Sequence, residues 1–277
     1  MQARMLSRVF LAAALTLASL GVWGQAKQAG EFKPQVGQAG KDVIWVPTPE
    51  AVVERMLSMA KVGPSDFVMD LGSGDGRIAI AAAKKFGARS LGIEYNPNMV
   101  ELSRRAARKA GVAGKAKFSN ADIFQTDFSQ ATVITMYLLP DLNLKLRPTI
   151  LEMKPGTRVA SHQFNMGDWE PDETADVEGR SAYLWIVPAK VAGSWHLQAG
   201  AQSYDLSLTQ SFQKVTGVAK EGSRALEVHD SKLMGDQIVL VIGSGAPREF
   251  SGRVSGDTME GTVRSGGADA RWTATRK

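Results

Sequence analysis

Seven residues with three glycines constrain this chain more than any other stretch. Asp70-Leu71-Gly72-Ser73-Gly74-Asp75-Gly76 follows the short apolar run Phe67-Val68-Met69 and precedes an alanine-rich helical pattern, Ile78 to Phe86. Alternate glycines let the backbone turn tightly and approach a ligand with no Cβ in the way. The free N–H groups at a helix start favour a carboxylate or phosphate beside them. A dinucleotide-binding loop reads G-x-G-x-x-G/A. Counted from Gly72, its third small position here is Arg77, too large for close helix–strand packing. The loop is D-x-G-x-G-x-G instead.

The surroundings of that loop predict the fold class. Between Asp42 and Pro188, apolar runs at 67–69, 90–93, 115–118, 132–137 and 158–162 alternate with helical patterns at 49–60, 78–86, 98–110 and 142–153. Strands alternating with helices imply βαβ units and a mainly parallel sheet, doubly wound by right-handed crossovers. The run 182–187 is expected as a late strand added to that sheet. After Pro188 the pattern changes to short runs at 195–197, 204–212, 225–228, 237–242, 249–254, 258–263 and 270–275, separated by glycines and Asp/Ser turns. That spacing predicts a second, all-β domain over 189–277, a barrel or a sandwich. Trp195, Tyr204 and Trp272 are expected in its core.

The N-terminus reads as an address rather than as fold. Arg4 and Arg8 precede a 12-residue apolar run, Val9 to Leu20, and Gly24-Gln25-Ala26 fits a small-residue cleavage site. This is the pattern of a secretory signal peptide over residues 1–26. The run is shorter than the roughly 20 residues a spanning helix needs. Residues 27–41, rich in Gly, Gln and Lys, are expected to be a flexible lead-in. Export to a periplasm or to the outside follows, and the complete lack of cysteine suits an oxidising compartment. Without cleavage, the chain would be cytoplasmic or membrane-anchored. The formal net charge of +5 falls to +3 once Arg4 and Arg8 are removed, with no clustered basic stripe, so a nucleic-acid partner is not expected. The lack of cysteine excludes thiolate chemistry, and His162, His196 and His229 have no metal-binding spacing, so no metal is expected.

The motifs together resemble the class I S-adenosylmethionine (SAM) dependent methyltransferases. The resemblance covers about 42–188. It rests on Val68 to Gly76, on Glu94 at the end of the second strand, on Asp122-Ile123 after the third, and on Glu152-Met153-Lys154-Pro155-Gly156 before the fifth. Val46-Pro47-Thr48-Pro49, Glu94-Tyr95-Asn96-Pro97 and Tyr137-Leu138-Leu139-Pro140 are similar to the small methyltransferases related to mitochondrial protein-lysine N-methyltransferases. The resemblance implies SAM as cofactor. It implies cofactor contacts from Thr48, Asp70, Gly72, Ser73, Gly74, Gly76, Glu94, Tyr95, Asp122 and Ile123. Glu94 would take the ribose hydroxyls, Asp122 the adenine amino group, and Ile123 the face of the ring.

The acceptor is expected beside the loop after the fourth strand, with Tyr137, Pro140 and Asp141 as catalytic candidates. The implied reaction is N-methylation of a protein lysine or another amine. A small-molecule acceptor and a non-catalytic exported binding protein are the alternatives. Four side chains carry open readings. Thr48 is an N-cap or a contact to the methionine end of the cofactor. Asp75 and Arg77 pair with each other or with the cofactor carboxylate. His162 is a core histidine or a base. Trp169 covers an acceptor channel or simply packs.

Overall fold

Alternation along the strands explains how the first half is layered. In the computed structural model, which describes residues 32–265 and 268–277, strand β1 (Phe67–Leu71) is an interior strand of a seven-stranded sheet. Successive side chains of a strand point to opposite faces. Val68 packs on one face with Val52, Val53, Met56 and Leu57 of helix α1 (Glu50–Met59). Met69 and Leu71 pack on the other with Leu146 and Ile150 of helix α4 (Pro140–Leu151). Both faces are covered, so strand β4 (Val133–Met136) is buried at every position, as parallel strands between helices must be.

The other parallel strands are β2 (Arg89–Glu94), β3 (Ala116–Asn120) and β5 (Arg158–His162). Helix α2 (Arg77–Lys85) links β1 to β2, and helix α3 (Pro97–Lys109) links β2 to β3. Helix α3 is well started: Pro97 sits in its first turn, and the Asn96 side chain accepts from the Asn98 N–H at 2.9 Å. The strand order is β3-β2-β1-β4-β5-β7-β6, with β7 (Arg180–Ile186) antiparallel to β5 and to the edge strand β6 (Glu173–Val177). The doubly wound sheet and its late added strand match expectation. Strand β6, Glu-Thr-Ala-Asp-Val, carries no apolar run and is not among the expected strands.

The second half resolves the choice between barrel and sandwich. Strands β8 (Gly193–Ala199), β9 (Gln202–Ser211), β10 (Lys214–Glu221), β11 (Arg224–Met234), β12 (Gln237–Ile242), β13 (Arg248–Ser255), β14 (Thr258–Ser265) and β15 (Ala268–Arg276) form a closed antiparallel barrel. Closure comes from pairing of β15 with β8 and leaves no free sheet edge. Inward-facing Trp195, Tyr204, Phe250 and Trp272 fill the interior. Phe250 meets Tyr204 and Trp272 edge-on, each at 5.9 Å between ring centroids. The three expected core aromatics are all buried there. Strand β10 is an eighth strand that the sequence pattern did not show.

Pro34–Lys277 forms one compact unit. The expected signal peptide lies outside the described residues. Among those described, no helix is long and apolar enough to cross a membrane.

Candidate active site

The glycine loop turns where only glycine turns freely. Gly72, Gly74 and Gly76 have φ of +76°, +54° and +80°, a left-handed conformation that other residues adopt at a cost. A Cβ on Gly74 would lie 2.7 Å from Trp45 Nε1, and one on Gly76 2.6 Å from the Phe118 ring. The Gly72 and Ser73 N–H groups both donate to the Ile93 carbonyl at 2.9 Å, which pins the loop to β2. Helix α2 starts immediately after Gly76.

Above this loop lies a cleft of about 280 Å³ along the ends of β1 to β5. Its floor holds Asp70, whose Oδ1 accepts from Thr135 Oγ1 at 2.8 Å. Asp70 Oδ2 and Ser73 Oγ are buried and have no hydrogen-bond partner among the described residues. Burial pushes the Asp70 carboxyl up to about 7, with Asp75 and Glu94 adding to the rise and Thr135 opposing it. Glu94 Oε2 accepts from the Gly74 N–H at 2.9 Å and Oε1 from the Asn96 N–H at 2.8 Å. Burial raises the Glu94 carboxyl as well, against those backbone donors.

Asp122 pairs with Lys41 at 2.8 Å, and that bond holds its carboxyl below the usual carboxylate range. Lys41 belongs to a small hairpin, closed by Gly37 N–H to Trp45 carbonyl and Trp45 N–H to Gln38 carbonyl bonds, each 2.9 Å. Residues 38–48 line the cleft mouth. Residues 38–41 belong to the expected flexible lead-in, whose Gly, Gln and Lys content resembles a linker, whereas Thr48 is one of the expected site residues. The hairpin is held by partners far along the chain.

The remaining expected residues fall on both sides of the prediction. Tyr95 and Ile123 line the cleft. Thr48 does too, yet it caps no helix. Pro49 holds the N-cap position of α1, the Thr48 hydroxyl meets His162 Nδ1 at 3.1 Å, and its carbonyl accepts from Arg77 Nη1 at 2.8 Å. Arg77 also grips Asp75 through Nε and Nη2, at 3.0 and 2.6 Å. His162 is fully buried, and burial, with Arg180 adding to the effect, holds its ring down to about 4, so it is neutral near pH 7 and only a weak base. Tyr137 lines the cleft, with its ring 3.9 Å from that of His162 and 6.1 Å from that of Phe164. Pro140 and Asp141 are outside the lining, exposed in the first turn of α4. Trp169 is fully buried and stacks on Phe212 at 5.9 Å; it packs and is not part of the cleft lining. His196 and His229 are barrel surface residues paired with Asp205 and Asp230.

Known proteins are similar to the half of the chain that holds this cleft. A family model described as the ANTKMT methyltransferase domain matches residues 70–173. A protein-lysine N-methyltransferase of Saccharolobus islandicus (strain REY15A) is 44% identical over 151 residues, covering 52% of this chain and 94% of that protein. The chain belongs to this methyltransferase family.

The methyltransferase is also similar to a crystal structure of an RNA methyltransferase from Salinibacter ruber in complex with S-adenosyl-L-homocysteine. The identity is 52% and the TM-score 0.52, over 53% of this chain and 96% of that one. An adenine nucleotide translocase lysine N-methyltransferase of Mus musculus is 32% identical over 120 residues, 43% of this chain and 52% of that protein. The chain thus spans about half the length of the mouse relative. The family match ends at residue 173, ahead of the barrel.

The cleft suits the SAM that this family uses. Its carboxylates, with the orphaned Asp70 oxygen among them, provide acceptors for hydroxyl and ammonium groups, and the glycine cradle lets a ligand approach the backbone closely. Each Glu94 oxygen uses one acceptor site on a backbone N–H and keeps another open. Among the described residues no cluster of His, Asp or Glu could hold a metal ion.

Proposed function

We propose that this methyltransferase transfers the methyl group of SAM to the side-chain nitrogen of a lysine in a protein. One observation carries the reading: the cleft changes character along the sheet edge. The ends of β3, β2 and β1 present Asp122, Glu94, Asp75 and Asp70. The ends of β4 and β5 present Tyr137, Leu138, Leu139 and Phe164. The acidic side fits a cofactor with an ammonium group and ribose hydroxyls. The aromatic side fits an aliphatic stem ending in a cation, because ring faces attract ammonium groups.

On this reading Asp70, Gly72, Ser73, Gly74, Gly76, Glu94, Tyr95, Asp122 and Ile123 hold the cofactor. Thr48, clamped by Arg77 and bonded to His162, shapes the cleft beside Tyr137. SAM supplies an electrophilic methyl group on its sulfonium. A lysine ammonium must lose a proton before its nitrogen can attack, and a poorly hydrated wall lowers its pKa. Tyr137 and Phe164 exclude water on that side and align the stem, so positioning supplies much of the rate and no strong base is needed. Pro140 and Asp141, outside the lining, support the turn into α4 instead.

The lysine-methylating relatives named above support the acceptor class. Methyl-labelled SAM offered with separated protein, RNA and metabolite fractions of a lysate tests it. Label in protein, recovered as methyl-lysine, is the expected result. Label confined to RNA, the acceptor class for which the Salinibacter relative is named, or confined to metabolites overturns it.

We also read residues 1–26 as an export signal, ahead of a methyltransferase domain (42–188) and a barrel domain (189–277). The support is the Arg4/Arg8 start, the apolar run and the Gly24-Gln25-Ala26 site. A reporter fused after residue 30 should be exported; a reporter retained in the cytoplasm refutes that reading.

A further inference from the structure

The barrel meets the methyltransferase half at the β11–β12 turn, where Gly235 packs on Gly156, and at the tip of the β9–β10 hairpin, which grips the loop leading away from the cleft wall. Phe212, between β9 and β10, packs with Trp169 and Trp185 in the core of the methyltransferase half rather than inside the barrel. Its ring stacks on Trp169 at 5.9 Å with an interplanar angle of 12°, and the Arg147 guanidinium of α4 lies 5.3 Å from its centroid. Phe212 has φ of +52°, an unfavourable conformation for a bulky residue that persists only when its surroundings hold it. Next to it, Gln213 Nε2 donates to the Glu170 carbonyl and Lys214 Nζ pairs with the Glu170 carboxylate, each at 2.8 Å.

The segment gripped in this way is 163–170, which begins at the cleft. Gln163, with φ of +67°, turns the chain out of β5 so that Phe164 joins Tyr137 in the lining. Asn143 Nδ2 of α4 donates to the Phe164 and Asn165 carbonyls at 3.2 and 3.1 Å. Arg147 donates to the Met166 carbonyl at 2.7 Å and pairs with Asp168. One end of this loop is therefore a wall of the cleft, and the other is clamped by the barrel. Arg147 touches both the loop and Phe212.

We propose that the β9–β10 hairpin of the barrel holds the acceptor-side wall of the cleft in place, with Phe212 as its positioning residue. This assigns the barrel a part in methyl transfer: it fixes Phe164 opposite the acceptor while leaving the cofactor side to the glycine loop. The inference rests on the reading of the Tyr137–Phe164 side as the acceptor wall.

Two measurements on the full chain test it, using Phe212→Ala, Phe212→Tyr as the conservative rescue, and the surface double variant Gln213→Ala/Lys214→Ala. Amide exchange needs no acceptor. Phe212→Ala should speed exchange over 164–168 at least tenfold while 72–76 stays unchanged, the double variant should do so more weakly, and Phe212→Tyr should restore protection. With labelled SAM and the protein fraction of a lysate, Phe212→Ala should raise the acceptor KM at least fivefold. The SAM Kd should stay within twofold, and Phe212→Tyr should recover the KM. Unchanged exchange over 164–168, or a SAM Kd that worsens in step with the acceptor KM, overturns the proposal. If wild-type protein labels no protein fraction, the lysine reading fails, while the exchange result still decides whether the barrel anchors this wall.

Discussion

Thr135 Oγ1 donates to Asp70 Oδ1 at 2.8 Å beneath the glycine loop, with both side chains buried and the second Asp70 oxygen left without a partner among the described residues. The carboxyl is held near neutrality by burial, to about 7, rather than in the usual acid range. Between its unfolded value of 3.8 and about 7, the folded protein keeps a proton there that the unfolded chain has lost. Stability from this group is therefore present at low pH and is lost as pH rises toward 7. The stability of Asp70→Asn relative to wild type should grow between pH 5 and pH 8 in thermal melts without ligand. A difference that does not change with pH would contradict the assignment.

Glu94 offers charged acceptors at the end of β2, and hydrogen bonds to charged groups are each worth about 1.5–3 kcal/mol. Glu94→Ala should weaken SAM binding by that amount, roughly 10- to 100-fold, as read by calorimetry. The fold should survive, since Gly72 and Ser73 remain bonded to the Ile93 carbonyl.

Gly76 should tolerate no side chain. Its left-handed φ of +80° costs a non-glycine residue about 1–2 kcal/mol, and a new Cβ would also press on the Phe118 ring at 2.6 Å. Gly76→Ala should shift the denaturant midpoint downward by more than the strain alone implies, and SAM binding should fall with it.

Tyr137 separates two roles for the acceptor wall. If its ring face is what matters, Tyr137→Phe should retain methyl transfer within a fewfold. Tyr137→Ala should lose tenfold or more, with SAM affinity little changed in both. Equal losses in Phe and Ala variants would point to the hydroxyl instead.

The barrel core makes a separate stability prediction. Trp272 is fully buried, and its Nε1 reaches the Ser251 and Thr262 carbonyls, each at 3.1 Å. Trp272→Ala should cost about 3–5 kcal/mol, the usual range for removing a buried large aromatic. Denaturant unfolding followed by circular dichroism would measure it.

Local pattern made much of this protein legible. The glycine spacing at 72–76, the apolar face of α1 and the alternation along most strands are set by residues within a few positions of one another. These placed the parallel sheet, the loop and the acids at the strand ends. Two strands escaped. Strand β6, Glu-Thr-Ala-Asp-Val, is a polar edge paired only with β7. Strand β10 is broken by Gly217, where a Cβ would lie 2.1 Å from the Ser207 carbonyl oxygen, and by a register shift beside it.

Tertiary structure decided the rest of the site. Lys41 and Asp122 are 81 residues apart in sequence, and Thr48 and His162 are 114 apart. No periodicity connects such pairs; only the completed sheet brings their side chains together. Barrel closure between β15 and β8, and the reach of Phe212 to Trp169, are contacts of the same kind. The chain by itself determined the helices, most of the strands and a cofactor-type loop, because those depend on near neighbours. What stands opposite the cofactor, and what holds it there, depended on packing between distant segments, whose energy no single stretch of sequence carries.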